Sequence, residues 1–256
     1  EKPEVRKAGG VYYTPTFIVT YIVIHTLGKL LLGLTPKEAA KLKIVDPACG
    51  SGTFLLGAFE YLLAWHLKWY SENDPEKWVK NKALVKVGND YRLTTAKKKE
   101  ILLNNIYGVD IDPQAVEVTK LSLLLKVLEN ASGQMELGME RILPDLGNNI
   151  KCGNSLVGED YFEGKLMVDQ EERARVNPFD WESAFPEVFA QGGFDVAVGN
   201  PPYIRIQAMQ EWAPEQVEYF KRKYKAASKG NYDIYVVFIE KALSLLNEKG
   251  KMGFIL

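Results

Sequence analysis

The sequence predicts an α/β fold built on a mostly parallel, doubly wound sheet, and three observations carry that expectation. Short apolar runs of strand length alternate with longer runs of helical period. Each short run ends in a turn rich in glycine, proline or acidic residues. The composition is that of an ordinary globular chain, with 46% of the 256 residues hydrophobic and 25% charged, which is length enough for a sizeable core.

In chain order, the apolar stretch 17–34 comes first. It is interrupted by Lys29, His25, Gly28 and Gly33 and lacks a basic flank, so a buried core helix is expected rather than a membrane segment. Strands are expected at 43–45, 106–111, 150–152, 194–198 and 251–256. Helices are expected at 54–70, 97–103, 113–128 and 232–246. Residues 71–95 are polar and interrupted and read as a surface excursion. Residues 158–189 are acidic and strand-poor, and Trp181, Phe185 and Phe189 near their end read as packing groups. His25 and His66 lie in apolar helical patterns and are expected in the core.

Charge and cysteine content exclude several classes. Thirty-two Lys and Arg against 33 Asp and Glu leave a net charge of −1, so any contact with nucleic acid must use a local patch. Two distant cysteines, Cys49 and Cys152, suggest neither a disulfide scaffold nor a zinc cluster, and two histidines make metal chemistry an unpromising reading. A reducing compartment without metal follows.

The strand-end turns hold the chemistry, because open α/β sheets bind ligands at the carboxyl ends of their strands. In Asp46-Pro47-Ala48-Cys49-Gly50-Ser51-Gly52-Thr53, Asp46 puts a carboxylate at a strand tip, and Gly50 and Gly52 admit close backbone approach. Neither a phosphate loop nor Gly-x-Gly-x-x-Gly is present, and an ordinary strand-to-helix turn is the alternative. In Gly108-Val109-Asp110-Ile111-Asp112-Pro113, Asp110 is placed either to hold two ribose hydroxyls or to cap the next helix, while Ile111 offers an apolar face. Asn154 and Ser155 follow the third strand, with an amide suited to an adenine edge. The fourth turn, Gly199-Asn200-Pro201-Pro202-Tyr203, offers two convergent carbonyl acceptors, from the Asn200 side chain and the Pro201 backbone. They suit an amino group conjugated to an aromatic ring, and Tyr203 suits its flat face.

In this order the motifs Asp46 to Gly52, Gly108 to Pro113 and Asn200 to Tyr203 resemble the γ class of N6-adenine DNA methyltransferases. Gly10-Val11-Tyr12-Tyr13-Thr14-Pro15 stands where that class has its motif X. The resemblance runs from Arg6 to Leu256 and is closest to the methyltransferase cores of type IIG and type I-like single-polypeptide restriction–modification enzymes. It implies a Rossmann-like class I S-adenosylmethionine-dependent sheet, with a helical lead-in at 1–40 and the α/β core at 41–256. It further implies that Tyr13, Thr14, Asp46, Pro47, Ala48, Gly50 and Gly52 bind S-adenosylmethionine, with Thr14 near its carboxylate, Asp46 near its amino group and the backbone around Pro47 and Ala48 along the methionine arm. Asp110 and Ile111 would meet its ribose and adenine, and Asn154 and Ser155 its adenine edge. Asn200, Pro201, Pro202 and Tyr203 would receive a flipped adenine. Asn154 departs from the Asp common in the class.

Between 216 and 230 the chain carries Lys221, Arg222, Lys223, Lys225 and Lys229 against Glu218, with Tyr219, Phe220 and Tyr224 interleaved. Two readings stay open: a DNA-facing patch, or a solvated helix with its aromatics turned inward. The implied partner is double-stranded DNA containing a target adenine, in a prokaryotic cytoplasm. A sheet of this class has seven strands and five are counted, so truncation after the fifth is expected, with target-recognition and nuclease domains elsewhere in a full-length chain. Rival readings are a protein-glutamine or RNA N-methyltransferase, an N4-cytosine DNA enzyme, and a non-catalytic methyltransferase-like subunit. The Tyr-Thr-Pro segment argues against the first.

Overall fold

The computed structural model describes residues 14–129, 144–164 and 167–256. Five strands form one parallel sheet: β1 (Ile44–Asp46), β4 (Ile106–Asp110), β5 (Ile150–Cys152), β6 (Phe194–Gly199) and β7 (Leu246–Phe254). Their order across the sheet is β5-β4-β1-β6-β7. The chain steps outward from β1 to one edge and then returns to the other side of β1. The reversal lies between β1 and β6, the place where open sheets leave a crevice at their carboxyl ends.

The central strands are buried on both faces, and their residues divide between two layers. Ile44, Ile106, Ile150, Val196 and Val198 face the first core cluster, while Val45, Tyr107, Val109, Phe194 and Ala197 face another. The first layer is covered by α1 (Thr16–His25), α2 (Thr53–Glu72), α3 (Thr95–Asn105) and α4 (Pro113–Leu128). In α2 the buried residues Phe54, Leu55, Ala58, Phe59, Leu62, His66 and Tyr70 recur at helical spacing and form its inward stripe. The second layer is covered by Phe179, Trp181, Phe185 and Val188 together with Ala242 and Leu245 of a late helix. The reading of these aromatics as packing groups is borne out.

A third cluster lies beyond the carboxyl edge of the sheet. Leu156, Val157, Tyr161 and Phe162 pack there with α5 (Ile206–Trp212), α6 (Pro214–Lys223) and the start of α7 (Tyr235–Leu245). Ala48 and Phe254 also pack against it, so this cluster is fastened to the tips of β1 and β7.

Four details differ from the sequence reading. The stretch 71–95 is more than a polar excursion: it holds a helix at Pro75–Lys80 and a hairpin of β2 (Leu84–Val87) and β3 (Asp90–Leu93). Its two-residue Gly88-Asn89 loop, with Gly88 at φ +63°, is a hairpin signal, and Leu84 and Leu93 join the core. β7 begins five residues before the apolar run that marked it, because Leu246 already pairs with Phe194 across a bulge. α7 starts at Tyr235 rather than 232, since the preceding residues pair with the β6 loop.

The fourth is the segment 17–34, which is not a fully buried helix. It breaks at Thr26, whose hydroxyl donates to the Ile22 carbonyl, and besides Thr26 only Val19, Val23, Leu27 and Leu31 are buried on it. Phe17, Tyr21, Ile24 and Leu32 are exposed because the segment is apolar all round while its packing is one-sided. His25 lies on that outer face, stacked on Tyr21 at 4.1 Å, so only His66 is the core histidine expected. Burial pulls the His66 imidazole down to about 4, which keeps it neutral. No helix among the described residues is long and apolar enough to cross a membrane.

Candidate active site

The tips of β1, β4, β5 and β6 meet at the carboxyl edge, and backbone hydrogen bonds fix the turns that follow them. Asp46 ends β1, is 2% exposed, and its Oδ1 accepts the Ala48 N–H at 3.0 Å. Removal from water, with Asp110 as a further negative neighbour, pushes its carboxyl up to about 8, against the lowering effect of that N–H. After Ala48 the chain swings back towards β4. Cys49 N–H donates to the Val109 carbonyl, and Gly50 N–H donates to Asp110 Oδ2 at 2.7 Å.

Gly50 and Gly52 have φ values of +52° and +84°, a backbone region that favours glycine. At Gly52 the fit is also steric, because a Cβ there would stand 2.8 Å from a methyl of Thr119. Thr119 is fully buried on α4, and its hydroxyl donates to the Gly50 carbonyl at 2.8 Å. It therefore helps set the shape of the turn. The sequence reading missed it, because Ser122 stands three residues on in the same helix and a hydroxyl there gives no local signal.

Asp110 ends β4 half-buried. One oxygen holds Gly50 N–H and the other holds Asp112 N–H at 2.9 Å, so the carboxylate spans two turns. Burial raises its carboxyl above the usual range. The alternative that Asp110 caps the next helix is overturned: the N-cap of α4 is Asp112, whose side chain accepts from Gln114 N–H. Ile111, one residue beyond the strand, is 51% exposed.

At the tip of β5, Asn154 and Ser155 are buried. The Ser155 hydroxyl donates to the Pro47 carbonyl, which joins the first and third turns. Asn154 Oδ1 accepts the Leu156 N–H at 3.2 Å, so this amide shapes its own loop as an Asx turn. Cys152 is exposed and its thiol lies 3.6 Å from the Ile111 carbonyl, at the side of a groove of about 570 Å³ that Phe179 and Pro113 also line.

β6 delivers the fourth turn. Gly199 packs directly on the β1 carboxylate, because a Cβ there would stand 2.7 Å from Asp46 Oδ1. Asn200 follows. Its Nδ2 donates to the Thr14 hydroxyl at 3.3 Å, and its Oδ1 is buried with no hydrogen-bond partner among the described residues. An unpaired buried carbonyl costs about 1–3 kcal/mol, which makes Oδ1 an acceptor prepared for a donor from outside the chain. Pro201 is buried, and Pro202 and Tyr203 are half-buried.

The Tyr203 ring lies 5.7 Å from that of Tyr235. Beyond Tyr203 the loop is zipped to residues 232–234: Ile234 N–H donates to the Ile204 carbonyl, and Ile206 N–H to the Tyr232 carbonyl. Tyr235 was also missed from sequence, and Gly199 was read only as the start of the fourth turn.

Of the sequence-nominated residues, Thr14, Asp46, Pro47, Ala48, Gly50, Gly52, Asp110, Ile111, Asn154, Ser155 and Asn200 to Tyr203 gather at this edge through these contacts. Tyr13 and the motif residues before it lie outside the described residues. The basic segment resolves differently. Tyr219, Phe220 and Tyr224 are buried in the third cluster, so the stacking half of the DNA-patch reading is not borne out. Tyr219 donates to Asp160 and Tyr224 to the Leu156 carbonyl. Lys221 pairs with Glu218 and Lys223 with Asp160, while Lys221, Arg222, Lys223 and Lys225 are exposed.

Residues 104–256 match the model of a family described as Eco57I restriction-modification methylase. The type II restriction enzyme and methyltransferase RM.Eco57I of Escherichia coli is 36% identical over 247 residues, covering 96% of this chain and 23% of that protein. The adenine-specific methyltransferase PglX of Streptomyces coelicolor is 26% identical over 254 residues, covering 97% and 18%. The chain thus spans about a quarter or less of the length of these two relatives.

Among solved structures, a DrdV–DNA complex superposes with a TM-score of 0.53 at 18% identity, over 99% of this chain and 21% of that one. The type ISP restriction-modification enzyme LlaBIII bound to DNA gives a TM-score of 0.53 at 16% identity, over 96% and 15%. Both likenesses concern the fold.

Proposed function

Since this chain belongs to the Eco57I restriction-modification methylase family, we propose that it transfers a methyl group from S-adenosylmethionine to the N6 amino group of adenine in double-stranded DNA. The observation that carries the proposal is the buried Oδ1 of Asn200, which has no partner among the described residues, next to a tyrosine-bearing Pro-Pro turn. The adenine-specific name of one relative points to the same base.

The residues present suit the cofactor. Asp46 is a buried carboxylate beside a second one, an environment that a cationic amino group would relieve. Each Asp110 oxygen carries one backbone N–H and keeps a second lone pair for a ribose hydroxyl. The exposed Ile111 offers an apolar surface to a purine. When bound, the cofactor supplies an electrophilic methyl group on a sulfonium. Asn154 is the weaker nominee for the adenine edge, because its carbonyl already serves Leu156.

The chain's own part is to hold the nucleophile. An adenine inside a duplex cannot reach the crevice, so it must be extruded, and Tyr203 offers a face for stacking. Asn200 Oδ1 and the Pro201 carbonyl accept the two N–H bonds of the amino group and turn its lone pair out of conjugation. As that nitrogen becomes positive, the same two dipoles stabilise the charge. No general base is required, since the proton can leave to solvent afterwards. In this scheme the relatives' additional length would supply target recognition, and a nuclease where one accompanies the methylase. Exposed Arg222 and Lys225 remain available for phosphate contact.

The test is to incubate the protein with S-adenosylmethionine and unmethylated genomic DNA, digest the DNA to nucleosides and analyse them by mass spectrometry. N6-methyladenine that disappears with Asn200→Ala is expected. N4-methylcytosine, or methyl transfer to protein or RNA alone, would overturn the proposal.

A further inference from the structure

Thr14 lies 186 positions before Asn200, yet its buried hydroxyl accepts a hydrogen bond from the Asn200 amide at 3.3 Å. The amide's other terminus, Oδ1, is buried and has no hydrogen-bond partner among the described residues. These two facts belong together. A primary amide has one accepting and one donating end, set opposite each other about the Cβ–Cγ bond, so holding Nδ2 fixes where Oδ1 lies. Turned over, the side chain would present N–H groups to an incoming amino group, and donor would meet donor.

We infer that Thr14 is a positioning residue for methyl transfer: its hydroxyl holds the Asn200 amide in the orientation that offers Oδ1 to the target amino group. This rests on the methyltransferase reading and adds to it, because the resemblance of the Tyr-Thr-Pro segment assigns Thr14 a place near the cofactor's carboxylate and no role at the target amide. In the structure its hydroxyl is engaged with Asn200. The segment before α1 is thereby coupled to the turn after β6, so cofactor and target sites share a side-chain contact.

The two assignments separate in kinetics. In the complete natural polypeptide that carries this sequence, Thr14→Val and Thr14→Ala remove the hydroxyl, and Thr14→Ser keeps it. Labelled methyl transfer to unmethylated genomic DNA gives turnover at saturating S-adenosylmethionine, and calorimetry gives cofactor affinity. The expected result is a turnover loss of about tenfold or more in the Val and Ala variants, with cofactor affinity within about twofold of wild type and Ser restoring turnover. Unchanged turnover in Val and Ala, or a loss confined to cofactor affinity, would overturn the inference. So would a Ser variant as slow as Val, because the effect would then come from packing. A wild-type protein that makes no N6-methyladenine would instead sink the methyltransferase reading itself.

Discussion

Gly199 and Asp46 lie in contact across the point where the strand order reverses: a Cβ on Gly199 would stand 2.7 Å from Asp46 Oδ1 and 3.1 Å from its carboxyl carbon. β1 and β6 are adjacent parallel strands, and the absence of a side chain at the β6 tip lets the β1 carboxylate lie against the Asn200 turn. Gly199→Ala must displace Asp46, the turn, or both. Overpacking of this kind costs about 1–3 kcal/mol, which for a domain of this size lowers Tm by several degrees. The expected outcome is a lower Tm together with weaker S-adenosylmethionine binding, read by thermal unfolding with and without cofactor.

Asp46 also predicts a pH dependence. Its carboxyl is raised by burial to about 8, so the folded chain holds a proton that the unfolded chain releases near 4. The stabilising contribution of this group is complete below about 4 and is lost as pH rises through about 8. A cationic amino group bound beside Asp46 favours its ionised form, so affinity for S-adenosylmethionine should increase as pH rises from about 6 towards about 8, where that amino group begins to lose its own proton, with proton release on binding at the lower end. Calorimetry in buffers of different ionisation enthalpy measures that release. Asp46→Asn should abolish both the release and the pH dependence.

The two thiols should differ in reactivity. Cys49 is buried beneath the first turn, and burial with Asp46 and Asp110 nearby pushes its thiol well above the ordinary range. Cys152 is exposed, beside the Ile111 carbonyl. Alkylation of the folded protein should label Cys152 and spare Cys49, as peptide mapping would reveal. Bound cofactor should slow labelling at Cys152 if its purine lies on Ile111, and an unchanged rate would place the purine elsewhere.

Much of this architecture is legible in the sequence because its signals are local. Asp46, Asp110 and Asn200 stand out as polar residues directly after apolar runs, and the strand order only had to bring their tips together. What escaped notice depends on partners remote in the chain. Thr119 matters because of Gly50 and Gly52, and Gly199 because of Asp46, and neither contact leaves a local pattern. Tyr219, Phe220 and Tyr224 looked available for stacking because basic residues surround them. Their fate was decided by the third cluster, assembled from residues as far apart as Leu156 and Phe238. The 84–93 hairpin was legible in Gly88-Asn89 but lay within a polar stretch. The outer face of α1 shows the reverse error, since its apolar residues exceed what one packing surface can bury.

In the proposed function the strand tips form one S-adenosylmethionine pocket in which Asp110 ties the first and second turns together. Calorimetric titration of S-adenosylmethionine into wild type and Asp110→Asn tests it most directly. Asparagine keeps one acceptor and replaces the other with a donor, so it loses one backbone N–H bond and leaves fewer lone pairs for the ribose. One site per chain is expected in wild type, with a loss of about 1–3 kcal/mol in the variant, roughly fivefold to 150-fold in affinity. Equal binding by both proteins, or none by wild type, would contradict it.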